Sequence, residues 1–91
     1  MSEKTRFSIG QLVATPGALG LAENGINLPA YLRRHMGGDW GDLCEEDKLA
    51  NETAVSSGTR VFSAYETPLG KLWIITEADR SATTFLLPSE Y

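Results

Sequence analysis

The sequence predicts an α+β domain, and three observations carry that prediction. Segments opened by proline and closed by glycine punctuate residues 15 to 58, branched and aromatic runs take over from Thr59, and two reversals divide those runs into three. The expected architecture is a short N-terminal strand, two short helices and one longer acidic helix packed on a C-terminal three-stranded antiparallel meander. A length of 91 residues encloses a single core, so residues 1–91 form one domain.

FSIGQLV, residues 7–13, reads as the leading strand, with Phe7, Ile9 and Val13 apolar and Gly10 as a weak point. Thr15-Pro16 opens the first helix, because threonine caps free N–H groups and proline at the first helical position forfeits no hydrogen bond. Ala18, Leu19, Leu21 and Ala22 follow, and Asn24-Gly25 ends it. Pro29 opens a second helix carrying Ala30, Tyr31, Leu32 and Met36, which Gly37-Gly38 stops. His35 lies near its C-terminus, where the helix macrodipole favours a charged imidazole.

GGDWGDLCEED, residues 37–47, concentrates five acids, an indole and the single thiol of the chain in eleven residues. Asp42 followed three residues later by Glu45 predicts a capping box for a helix running to about Ser56, with Glu45, Glu46 and Asp47 in its first turn. Acids there are each stabilised by about 0.3 to 1 kcal/mol. Leu43, Ala50 and Ala54 supply a narrow apolar stripe, and Gly58 the stop.

RVFSAYE, KLWIITE and ATTFLL then read as strands. Thr67-Pro68-Leu69-Gly70 and Ala78-Asp79-Arg80-Ser81 are the reversals between them. Leu72, Trp73, Ile74 and Ile75 are consecutive, which exceeds simple alternation; it indicates burial of both faces of the sheet, or one face under helices and the other against a partner, including a second copy in a homodimer. Trp73 is expected in the core, and Glu77, Asp79 and Arg80 in a solvated turn.

Composition narrows the function. A hydrophobic fraction of 42% with 22% charged residues is that of a folded globular chain. One cysteine makes no internal disulfide, and MSEKTRFSIG lacks an apolar signal core, so a reducing, cytoplasmic setting without membrane association is expected. Residues 39–52 hold six acids against Lys48, a local charge of −5 within a total of −4. The rest is nearly balanced, with Arg33-Arg34 as the sole adjacent bases, so direct nucleic-acid binding is disfavoured.

His35, Asp39, Asp42 and Cys44 do not pair strong ligands at the spacing of a structural metal site, and no metal or cofactor is expected. Cys44 is pulled toward thiolate by a helix N-terminus and away from it by three neighbouring acids, and reads as a half-buried structural residue. The chain lacks a nucleophile elbow and a phosphate loop, and no enzymatic activity is expected. The recognition surface that remains comprises Asp39, Trp40, Asp42, Glu45, Glu46 and Glu52. Trp40 either plugs the core beside the helix start or, exposed, serves as an interface anchor with an acidic rim.

GDWGDLCEEDKLANE together with SAYETPLGKLWIITEADRSATTFLLPSEY, and FSIGQLVATPGAL at the front, resembles a group of small bacterial proteins of plasmids, phages and other mobile elements, often labelled plasmid-related protein. That resemblance covers most of the chain and implies a bacterial cytosolic setting between mobile element and host. The expectation is therefore a small acidic, non-catalytic protein-binding module, accessory or anti-defence in role and inhibiting nucleic-acid-handling machinery. The alternatives are a DNA-binding regulator built on residues 15–36 and a small enzyme or metalloprotein.

Overall fold

The computed structural model describes residues 5–91, and the order of elements is β1 (Gln11–Ala14), α1 (Pro16–Glu23), α2 (Leu28–Met36), α3 (Glu45–Ser57), β2 (Val61–Thr67), β3 (Gly70–Thr76) and β4 (Ala82–Leu86). A 3-10 turn at Pro88–Glu90 follows. The α+β class holds, but the sheet is four-stranded in the order β1-β4-β3-β2. The C-terminal meander is antiparallel, as expected, and β1 joins it parallel to β4 with Gln11 opposite Ala82 and Ala14 opposite Phe85. The leading strand therefore starts four residues later than the apolar pattern at Phe7 indicates.

Local signals place the helices. Thr15 caps α1 by accepting from the Ala18 amide, and Asn27 caps α2 by accepting from Ala30. Gly58 closes α3 in the left-handed conformation at φ 77°. The start of α3 differs from the capping-box expectation: its N-cap is Cys44, which makes no side-chain capping bond. The Asp42 amide instead donates to the Ala64 carbonyl at 2.7 Å, so Asp42 belongs to the segment lying along β2. Gly41, at φ 76°, makes this close approach feasible, because a Cβ there would stand 2.0 Å from the Ala64 carbonyl oxygen.

One face of the sheet is covered by helices. Val61, Tyr65, Leu72 and Ile74 point inward from β2 and β3 and are at most 1% exposed. They meet Ala18 and Leu21 of α1 and Leu28 and Leu32 of α2, or, for Val61, a smaller cluster with Trp40 and Ala54. Fully burying an aliphatic side chain of this size contributes about 1.5 to 3 kcal/mol. The apolar stripe of α3 departs from expectation: Asn51 and Ala54 are its buried residues, while Ala50 is exposed. At the C-terminus the Glu90 carboxylate accepts from Thr15 Oγ1, the Gly17 amide and the Leu87 amide, which ties the last turn to the start of α1.

Candidate functional site

The chemistry-bearing residues of the chain separate into two environments. The first surrounds His35. It is fully buried, with Nδ1 at 2.6 Å from Ser63 Oγ and Nε2 at 2.9 Å from Thr76 Oγ1. Thr76 Oγ1 continues to Thr83 Oγ1 at 2.7 Å, and Thr83 Oγ1 donates to the Ile9 carbonyl at 2.7 Å. Each hydroxyl has one proton, so the direction of the chain is fixed from its end. Thr83 spends its proton on the carbonyl and accepts from Thr76, Thr76 accepts from His35 Nε2–H, and Nδ1 accepts from Ser63. His35 is thus a neutral Nε2–H tautomer, and burial, with a smaller contribution from Arg80, lowers its pKa to about 4. This corrects the expectation of a charged helix-end histidine. The signal was available in α2, where Leu28, Leu32 and His35 are the buried residues at helical spacing.

Beside this chain of hydroxyls lies Trp40, 4% exposed and stacked on Phe7 with centroids 6.2 Å apart. Its Nε1 donates to Glu52 Oε2 at 2.9 Å, and Glu52 also receives both Arg6 guanidinium nitrogens, at 3.0 and 2.6 Å. The Arg6 hydrogen bond first, then that of Trp40, lowers the Glu52 pKa to about 2. Asp39 accepts from Arg34 Nε at 2.7 Å and from the Gly41 amide at 3.1 Å, with Arg34 as the main cause of its lowered pKa. Its backbone carbonyl accepts from the Tyr65 hydroxyl at 2.6 Å. Arg34 in turn lies 4.6 Å above the Tyr65 ring.

Of the six residues expected to form the recognition surface, Trp40 is buried and is not an exposed anchor, while Glu52 and Asp39 stay at the surface with their carboxylates paired to Arg6 and Arg34. Asp42, Glu45 and Glu46 are exposed. Cys44 is exposed as well, against the expectation of half-burial. Arg80 also departs from the sequence reading. Rather than standing in solvent, it adopts φ 61° and donates to the carbonyls of Thr59 at 2.6 Å and Ala54 at 2.9 Å, pinning the end of α3. No group of three metal-ligating side chains occurs among the described residues.

The second environment is the other face of the sheet. Strand alternation turns Phe62 of β2 and Trp73 of β3 away from the helices, so Trp73 is half-buried and not part of the core. Phe62 and Trp73 meet edge to face at 4.9 Å, and Trp73 meets Tyr91 at 5.6 Å. Two adjoining hollows of about 480 and 330 Å³ share Phe62 and Trp73 as walls. Asp42 and Leu43 stand on the wall of the larger, together with Glu66 and Lys71. Tyr91 and Arg60 border the smaller. The exposed Asp42, three residues before α3, thus borders an apolar groove that the sequence reading did not separate from the core. The period-two alternation within LWII contains the signal: Leu72 and Ile74 share one face, Trp73 and Ile75 the other.

No family model, curated protein or solved structure matches the chain.

Proposed function

We propose that the protein is a small non-catalytic protein-binding module whose partner inserts an apolar side chain between Phe62 and Trp73 and places a basic residue near Asp42, Glu45 and Glu46. The observation that carries this reading is the aromatic groove on the sheet face opposite the helices, with the exposed Asp42 on its wall and Glu45 and Glu46 a few residues further along the chain. Aromatic walls within a polar rim are the composition that concentrates binding energy in protein interfaces. A catalytic alternative receives less support, because the imidazole has both nitrogens committed to hydroxyls and Glu52 is committed to Arg6 and Trp40. The DNA-binding alternative loses Arg34 to its pair with Asp39.

The bacterial, mobile-element setting, the cytoplasmic location and an accessory or anti-defence role rest on the sequence resemblance. No helix among the described residues is long and apolar enough to cross a membrane. The test compares proteins captured from host lysate by the parent, by Trp73→Ala, and by the Asp42→Asn, Glu45→Gln, Glu46→Gln triple variant. The expected partner is lost by the first variant and weakened by the second in a salt-dependent manner. A partner held equally by all three would place recognition elsewhere.

A further inference from the structure

The two edges of the sheet are finished differently. On β2 the outward backbone groups of Phe62 and Ala64 are satisfied by the chain itself. Phe62 exchanges hydrogen bonds with the Asn51 side-chain amide, and Ala64 donates to the Trp40 carbonyl and accepts from the Asp42 amide. On β1 the inward groups follow a parallel ladder, with the Gln11 amide donating to Ser81 and the Thr15 amide to Phe85, both at 3.0 Å. Alternation then directs the amides and carbonyls of Leu12 and Ala14 outward, where they have no partner among the described residues.

This open edge also lacks the usual protection. Sheet edges are commonly guarded by charge, proline or a bulge, yet residues 7–22 contain no Asp, Glu, Lys or Arg, in a chain of net charge −4. Leu12, Val13 and nearby Leu19 are 48%, 44% and 50% exposed.

We infer that a second copy of this chain occupies the β1 edge, pairing antiparallel about a twofold axis at Val13 to join two sheets into one. Self-complementarity argues for this occupant. The outward residues Leu12 and Ala14 are two positions apart, so a twofold at Val13 sets each Leu12 opposite the partner copy's Ala14. Each such pair exchanges both backbone bonds, and the two Val13 side chains meet in the narrow, non-hydrogen-bonded position between them. Two acidic molecules also meet with least like-charge repulsion along an uncharged stretch. This surface is separate from the aromatic groove, and its assignment is independent of the protein-binding reading.

Sedimentation of the full chain tests the inference. An interface of this size belongs to the weak class, so twice the 9.9 kDa chain mass should develop between about 10 μM and 1 mM. Val13→Lys brings two ammonium groups together on the axis and should lower the dimer fraction at a given concentration by about tenfold, with circular dichroism and melting of the monomer unchanged. Val13→Cys in a Cys44→Ser background places the two sulfurs within disulfide reach across the axis and should yield a covalent homodimer on mild oxidation. A chain that stays monomeric throughout the range without forming that disulfide would overturn the inference. So would a dimer that Val13→Lys leaves intact.

Discussion

The two faces of the sheet invert the usual relation between polarity and burial. The helix-covered face buries a histidine and three hydroxyl side chains, Ser63, Thr76 and Thr83, each completely enclosed and each hydrogen-bonded. The opposite face keeps Phe62 and Trp73 within reach of solvent. The imidazole, the Trp40 indole and the Glu52 carboxylate are thus committed to holding the fold, while Phe62 and Trp73 stay half-exposed. Titration of His35, Glu52 and Asp39 therefore reports on stability.

The largest expected effect comes from breaking the buried polar face. His35→Ala leaves a cavity and strips Ser63 and Thr76 of their common partner, and should lower stability by about 4 kcal/mol in denaturant unfolding. Since domains of this kind are stable by about 5 to 15 kcal/mol, such a variant stands near the limit of folding. Binding through the aromatic groove should persist in whatever fraction folds.

Next comes pH. The folded pKa of His35, about 4, lies below the unfolded value near 6.5, so the unfolded chain takes up the proton first as pH falls. Its contribution is fully present above about pH 6.5 and is lost as pH falls through the folded pKa, amounting to about 3 kcal/mol. Glu52 and Asp39 have lowered pKa values, so their contributions are present above the ordinary carboxylate values and are lost as pH falls from there through the lowered folded ones. Unfolding curves at successive pH values should show both windows, and His35→Gln should flatten the upper one while sparing the lower.

Asn51→Ala removes the amide that closes the β2 edge and exposes the Phe62 backbone groups, for an expected loss of about 2 kcal/mol. The smallest effect is assigned to Asp42→Ala. The capping-box reading requires a loss of about 1 kcal/mol, whereas an exposed Asp42 outside the N-cap should change stability by less than about 0.5 kcal/mol. The same variant should still weaken partner binding, which distinguishes a rim residue from a structural one.

What the sequence revealed follows from the range of each interaction. Thr15-Pro16, Pro29 and Gly58 act on their own turns, and the helices begin or end beside them. The reversals at Pro68 and Asp79 likewise deliver the antiparallel strands. β1 was only partly legible, because its partner β4 lies some seventy residues away and a parallel pairing leaves no local turn signal. The start of α3 was misplaced for a related reason: Asp42 has the right residue type for a cap, but its backbone is held by Ala64 of β2. Among the site residues, Asp39, Trp40 and Glu52 could not be separated from Asp42, Glu45 and Glu46 by sequence distance. Their different roles depend on Arg34 and Arg6, which approach from other parts of the chain.

The claim that chemistry-bearing side chains serve the fold is tested most directly at the single imidazole. Nitrogen-15 chemical shifts of His35, followed from pH 8 downward, should report one neutral Nε2–H tautomer with a midpoint near 4. A midpoint near the ordinary histidine value, or a mixture of tautomers, would contradict the account, because it would mean an imidazole open to solvent and free to act on a ligand.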